Sequence, residues 1–364
     1  MTGSYHSKVR QPTLQDVADS AQVHRATASR ALNPATRHLV NAETADRVER
    51  VARSLGYRPN PIARSLKTAR SASIGLVIPD LTNPLFPPIA RGVEDVLRPV
   101  GYSAWIVNTD NDPAREADAV ESMRVRNVEG FVFATARLEH PLLDELTAAG
   151  SPVVLVNRRT AGPEIPSVTA DDETGVALAV RHLVELGHRR IAHLAGPQDL
   201  STGRGRLRAF RQALRDHGLP DDPARLVVCT SWTEAAGAEA LTALLDSDVD
   251  FTAVLAGNDL LALGCYDALA ARGLSCPGDV SVVGFNDTPF MDKLSPPLTT
   301  VRIPHYELGA EAARLLLAEI QEPHRHPRSV LLPLTLVVRG STAPAPVDQG
   351  LGGRVDRRGV PRTP

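Results

Sequence analysis

TLQDVADSAQVHRATASRALN, residues Thr13 to Asn33, holds two helical patterns on either side of a break at Gln22-Val23, each too short to bury much alone. Thr13 can cap the first, from Leu14 to about Ala21: its hydroxyl takes an early backbone N–H, and Asp16 sits at the positive helix end. Val17, Ala18 and Ala21 give this helix one apolar face. The second pattern runs from about Arg25 to Leu32. A third helix is expected from Ala42 to Leu55, capped by Asn41, with Val48, Val51, Ala52 and Leu55 at helical spacing and Gly56 as its stop. Isolated helices of this length are unstable in water, but three can share one small core.

Charge separates this head from the rest of the 364-residue chain. Residues 1–70 carry twelve Lys/Arg against five Asp/Glu, a surplus of +7, whereas the remainder stands at −9 and the whole at −2. A basic head on an acidic body suggests a polyanion-binding head; a solvated basic tail is the plainer alternative. Two helices joined by a tight break on such a module suggest a helix-turn-helix, whose second helix enters the major groove. On that helix Arg25, Thr27, Ser29 and Arg30 are polar, and Ala26 and Ala28 are slim. Arg25 and Arg30 can each offer a bidentate fork to guanine.

GYRPNPIARSLKTARSAS follows as a linker broken by Pro59 and Pro61. It hides a short helix signal, with Asn60 as N-cap and Pro61 at the first helical position. From Ser73 the pattern changes. Short apolar runs (IGLVIPD, SAWIVNTD, GFVFAT, PVVLVN, RIAHLAG, RLVVC, AVLAGN, SVVGFND) alternate with helical stretches such as Asp172–Leu186, Thr233–Leu245 and Leu260–Arg272. Continuous apolar strands separated by helices indicate parallel sheets covered on both faces. There are too many units for one sheet, so two lobes are expected, one starting near Ser73 and one near Asp172. Their strand ends would surround one cleft, where α/β sheets bind ligands. The last stretch, APAPVDQGLGGRVDRRGVPRTP, has little to bury and is expected to be disordered.

Several function classes lack their signature. Cys229, Cys265 and Cys276 are odd in number and have no metal or redox spacing, which fits a reducing compartment. Residues 1–20 have no secretory apolar core, and no apolar run approaches a membrane span; a cytoplasmic protein is expected. A transport-linked sugar-binding protein would need that leader and would not need the basic head. No GxGxxG follows a strand, and no GK[ST], HExxH or GxSxG element is present, so neither catalysis nor a cofactor or metal is expected.

The head stretch, continued by VNAETADRVERVARSLGYRPNPIARSL, strongly resembles the DNA-binding head and hinge of the LacI/GalR family of bacterial transcriptional regulators. The resemblance extends through IGLVIPDLTNPLF, LGHRRIAHLAGP, GRGRLRAFRQAL, AGNDLLALG, DVSVVGFND and PPLTTV, roughly Thr13 to Thr342. It implies a small all-α helix-turn-helix head over residues 1–59 and a hinge helix or linker over 60–71. A two-lobed α/β core like a periplasmic binding protein, its parallel sheets covered by helices, would span 72–342, with the tail at 343–364. It also implies a homodimeric regulator, a repressor in our reading, on a pseudo-palindromic double-stranded DNA operator under the control of a small effector, a sugar or sugar derivative above all.

By position, the resemblance makes Arg25, Ala26 and Arg30 base readers and Thr27, Ser29, Arg53 and Asn60 phosphate or orienting contacts, with Thr13 completing the DNA-facing set. Leu66 matches the hinge leucine that wedges a base step, and Ala63 the small residue a turn before it. The effector set is Asn83, Phe86, Arg158, Thr202, Arg206, Trp232, Asn258, Asp259 and Asn286. Arg and Asn suit paired hydrogen bonds to a polyhydroxylated ligand, and Trp232 or Phe86 can cover a sugar's apolar face. Asn258 and Asp259 have a plainer alternative, capping the helix that starts at Leu260. Three departures stand out: His24 where the family usually has Ser, Ala28 where Val is common, and Asn286 where many relatives carry Asp. His24 is read as a tolerated exposed residue.

Overall fold

A computed structural model describes residues 12–33, 36–58, 70–162, 164–322 and 326–346. The chain divides into two compact units, residues 1–71 and 72–364.

In the first unit, α1 (Leu14–Ser20), α2 (Arg25–Ala31) and α3 (Ala42–Ser54) bury Val17, Ala18, Ala21, Ala28, Ala31, Ala45, Val48 and Ala52 together. Six of these eight are alanines, so the helix backbones approach closely. Ala28 therefore lies in the core rather than on the slim outer surface expected for it. The turn between α1 and α2 is closed by Val23 N–H to the Ala18 carbonyl (2.9 Å) and Gln22 N–H to Asp19 (3.1 Å). It places Gln22 at φ 53°, in the left-handed region that favours glycine. From α3, Arg47 Nε donates to the Ala21 carbonyl at 3.2 Å, covering the end of α1.

The second unit holds two six-stranded sheets. Strands β1 (Ser73–Ile78), β2 (Ser103–Asn108), β3 (Phe131–Phe133), β4 (Val153–Val156) and β5 (Ser167–Ala170) build one; β6 (Ile191–Ala195), β7 (Leu226–Val228), β8 (Ala253–Ala256), β9 (Ser281–Asn286) and β10 (Thr299–Arg302) build the other. Each receives one last strand from the C-terminal region, β11 (Ser329–Leu332) and β12 (Thr335–Val337) respectively. The strand orders, β11-β5-β4-β3-β1-β2 and β12-β10-β9-β8-β6-β7, are the same winding used twice. All pairings are parallel except β10 with β12. The helices of this unit are α4 (Phe86–Leu97), α5 (Pro113–Val125), α6 (Pro141–Ala148), α7 (Asp172–Glu185), α8 (Ser201–Asp216), α9 (Glu234–Asp246), α10 (Asp259–Ala271) and α11 (His305–Gln321).

The lobes are not consecutive pieces of sequence. The chain enters the second lobe at α7, returns to the first with α11, lays down β11 there, and crosses a third time to β12. Helix α11 packs against α4 at a glycine crossing: a Cβ on Gly309 would stand 1.9 Å from the Ile89 carbonyl, and one on Gly92 2.1 Å from that of Tyr306. Gly237 and Gly264 make the matching crossing of α9 and α10, with Cβ positions 2.3 and 2.0 Å from backbone oxygens. The expected tail also starts later than its composition suggested. Ala343 N–H donates to Ser281 Oγ (3.1 Å), the Ala343 carbonyl bonds His188 Nε2 (3.0 Å), and Ala345 N–H donates to the Leu186 carbonyl (2.8 Å). These are backbone bonds, which composition does not encode. Residues 347–364 lie outside the described residues.

Candidate DNA-binding head and ligand cleft

Helix α2 presents the expected readers outward. Arg25, Ala26 and Arg30 are exposed and Thr27 and Ser29 half-buried, while Ala28 and Ala31 anchor the opposite face. His24 is more than a tolerated substitution. Its Nδ1 accepts the Ala26 N–H at 3.2 Å, so the ring caps the helix as a short hydroxyl side chain would. Thr13 caps α1 in a reciprocal box: its Oγ1 accepts from Asp16 N–H (3.3 Å) and its own N–H and Oγ1 donate to Asp16 Oδ2 (2.7 and 2.8 Å). Arg53 is exposed on α3, its Nε donating to the Glu49 carbonyl at 3.4 Å. The hinge candidates Asn60, Ala63 and Leu66 lie outside the described residues.

In the second unit, Asn83, Phe86, Arg158, Thr202, Arg206, Trp232, Asn258 and Asn286 line one cleft, together with Leu85 and Asn157. The lobes meet here at the carboxyl ends of their strands. Asn83 follows β1, Asn157 and Arg158 follow β4, Asn258 follows β8, and Asn286 ends β9, while Thr202 and Arg206 come from the first turns of α8. Trp232 lies flat on glycine: a Cβ on Gly196 would meet its ring at 1.9 Å and one on Gly257 at 3.0 Å. Only backbone without side chains leaves room for the indole at that depth.

Arg206 organises the second lobe's wall. Though charged, it is only 4% exposed. Its Nε donates to Asp172 Oδ1 (3.0 Å) and its Nη1 to the Gly257 carbonyl (2.7 Å), and its guanidinium lies 3.9 Å from the Phe285 ring centre. Burial raises the Asp172 carboxyl and Arg206 pulls it back down. Across the cleft, burial holds the Arg158 guanidinium down at about 10, against the opposing attraction of Asp199. Asn258 both lines the cleft and caps α10, its Oδ1 accepting Leu261 N–H at 2.8 Å.

Asp259 is a correction. It is fully buried behind the cleft and accepts from Thr288 N–H (2.7 Å), Thr288 Oγ1 (3.0 Å) and Thr300 Oγ1 (2.6 Å). It ties α10 to β10 and to the segment after β9, so it is a structural acid rather than an effector contact. Consecutive residues at a helix start point in different directions, and the motif AGND does not say which one faces the ligand. Asn157 and Leu85 escaped the sequence reading; the available signal was that PVVLVN closes on a polar residue at a strand end.

The cleft has unmet hydrogen-bonding capacity. Asn157 Oδ1, Arg158 Nε and Asn286 Oδ1 are buried without a partner. Native interiors satisfy nearly all such groups, so three around one cavity mark a place where a polar ligand completes the set. The free space amounts to about 20 Å³, about one water's worth.

A helix-turn-helix head joined to a two-lobed core with a polar, aromatic-lined cleft defines a ligand-responsive DNA-binding regulator. Residues 13–60 match the family described as bacterial regulatory proteins, lacI family, and residues 180–342 match the periplasmic binding protein-like domain. The HTH-type transcriptional repressor CytR of Escherichia coli is 35% identical over 92% of this chain and 97% of its own. Among solved structures, the lac repressor dimer bound to operator and the anti-inducer ONPF superposes with a TM-score of 0.82 at 28% identity, covering 92% of this chain and all of that one. The transcriptional regulator CelR-cellobiose complex gives 0.70 at 32%, covering 91% and 99%. The chain belongs to the lacI family of bacterial transcriptional regulators.

Proposed function

We propose that the protein is a homodimeric repressor whose affinity for a pseudo-palindromic operator is set by a sugar or sugar derivative held between the lobes. The observation that carries the ligand class is the trio of buried, unpartnered amide and guanidinium atoms at Asn157, Arg158 and Asn286, beside the Trp232 and Phe86 rings. Such a set takes hydroxyls on one side and an apolar sugar face on the other. The bound cellobiose of the CelR complex supports the same class. Asn at position 286 offers both donors and an acceptor, where a carboxylate would only accept, which favours a neutral polyol over a cation.

Dimerisation is supported by exposed apolar residues on the edge strand of each sheet: Trp105 and Ile106 on β2, Val228 on β7. Relatives are regulators, and the chain acts by binding rather than catalysis, in the cytoplasm where its operator lies. Ligand entry parts the lobes, and the hinge over residues 60–71 transmits the change to the paired heads. The coupling is reciprocal, so operator DNA alters ligand affinity by the same factor.

The test has two arms. Operator fragments selected with the full-length protein are titrated by fluorescence anisotropy, with and without members of a sugar panel found by thermal shift. Arg25→Ala and Arg30→Ala should each relax base preference at a distinct operator position, by roughly 1–3 kcal/mol per bidentate contact. A preference profile unchanged in both variants rejects α2 as the reading helix. A panel in which no sugar shifts either melting or operator affinity rejects the ligand class.

A further inference from the structure

We infer that a second pocket, beside the cleft at the seam of the lobes, binds the phosphate group of a small phosphorylated metabolite. It measures about 250 Å³, far larger than the free space of the cleft, and is lined by Leu138, Arg159, Thr160, Ala161, Ser201, Arg204, Gly205 and Arg208. Three of these eight are arginines and none is acidic. The inference stands apart from the sugar reading, because no lining residue is shared with the cleft.

The arginines are uncommitted. Among the described residues, none of the Arg159, Arg204 and Arg208 guanidinium groups has a carboxylate within salt-bridge distance. Arg204 gives only its Nε to a backbone carbonyl, that of Gln198 at 3.1 Å, which leaves its terminal nitrogens for a ligand. Arg206, two residues from each of Arg204 and Arg208, which share a helical face at i and i+4, is by contrast paired with Asp172. The carboxylates that act nearby are engaged elsewhere: Asp199 acts on Arg158, and Asp172, which Arg159 influences at a distance, is paired with Arg206. The pocket also receives the positive end of α8, which has neither an acidic residue in its first turn nor a side-chain cap. Three free positive charges in one concavity, on a body with a net charge of −9 outside residues 1–70, select an anion locally against the field of the whole. Arginine forks match phosphate geometry in particular.

The location gives such a ligand leverage. Leu138, Arg159, Thr160 and Ala161 belong to the first lobe, and Ser201, Arg204, Gly205 and Arg208 to the second. Two bonds already cross this seam: Leu138 N–H to the Asp199 carbonyl (2.9 Å) and Arg159 N–H to Ser201 Oγ (3.0 Å). A phosphate held by arginines of both lobes adds to them and opposes the parting that sugar entry needs. Phosphorylated metabolite and sugar are then antagonistic effectors, coupled through one lobe motion.

The experiment is calorimetric titration of the full-length protein with inorganic pyrophosphate, repeated on Arg204→Ala/Arg208→Ala, on Arg25→Ala/Arg30→Ala as the control for phosphate binding at the head, and on Arg189→Ala as an exposed-charge control. Wild type should bind saturably; the Arg204/Arg208 variant should bind at least about tenfold more weakly; both other variants should match wild type. All these residues are exposed, so unaltered melting of each variant is expected and is checked. No saturable binding up to roughly 10 mM, that is, an affinity weaker than about −2.7 kcal/mol, overturns the proposal, as does binding lost only in the head variant or retained in Arg204→Ala/Arg208→Ala. The sugar response of the Arg204/Arg208 variant should persist; its loss would count against two separate sites.

Discussion

Arg206 offers the most exacting test, because it lines the cleft and supports the fold of its lobe at once. Its removal strips the partner from Asp172, whose side chain is only 18% exposed. Breaking a buried pair from one side typically costs about 3–5 kcal/mol, mostly from the charge left behind. The lost bond to Gly257 and the stacking on Phe285 fall within the same figure, since such terms are not additive. Against a domain stability of about 5–15 kcal/mol this is large but survivable. Arg206→Met keeps the aliphatic stem against Phe285, and Asp172→Asn removes the stranded charge. The double variant should therefore recover at least about 2 kcal/mol relative to Arg206→Met alone. The assay is urea denaturation of all four proteins in a double-mutant cycle. Burial already raises the Asp172 carboxyl and Arg206 opposes it, so in Arg206→Met the carboxyl rises further. A raised carboxyl contributes stability that is present below its unfolded value and lost as pH rises through its folded one. The deficit of Arg206→Met should accordingly grow with pH. Additive single losses, or a deficit that does not change with pH, would refute the pairing argument. A loss of ligand response in Arg206→Met alone does not prove ligand contact, which is why the rescued double variant is the one to titrate with sugar.

His24→Ala should destabilise the head by about 1 kcal/mol and His24→Ser should not, read by thermal melting of α-helical circular dichroism; equal losses would deny the cap. Gly196→Ala drives a methyl into the Trp232 ring and should weaken sugar binding at least about tenfold with the strands intact; unchanged affinity would remove the indole from the site. Burial lowers His193 to about 4, so its contribution is fully present above about 6.5 and is lost as pH falls from there to about 4. That is worth about 3 kcal/mol, and His193→Leu should flatten this part of the stability curve. Asp259, raised to about 6, acts in the opposite sense between about 4 and 6, so the difference between variant and wild type is the quantity to plot.

The alternation of apolar strands and amphipathic helices was plain in the sequence, because each strand run is apolar along its whole length, as both-face burial requires. The helix boundaries Asp172, Glu234 and Asp259 fell within a residue of their expected places for the same reason: a cap announces them. What periodicity does not carry is the address of an element. Nothing in HYELGAEAARLLLAEIQ says that this helix returns to a sheet built more than a hundred residues earlier; that is settled by Gly92 and Gly309, which let α4 and α11 touch. Site residues followed the same division. Asn83, Phe86, Thr202 and Asn286 came from the family resemblance and fall at strand and helix ends around the cleft, whereas Asp259, implied by the same resemblance, turns away because direction at a helix start depends on backbone angles. The cap made by His24 was missed because histidine rarely serves there, and only geometry brings its Nδ1 onto Ala26.

The return of α11 has a consequence for the order in which the protein is made. When residue 302 leaves the ribosome, the second sheet has five of its six strands, but the first lobe still lacks the helix that covers α4 and the strand that completes its edge. The older lobe thus cannot finish until the younger one is nearly complete, and its apolar face waits on some thirty further residues of synthesis, a window in which a nascent chain is open to chaperones and to mispairing. Truncation near residue 304 should leave neither lobe whole, and the two cannot be cut apart and expressed singly as the sequence order would invite.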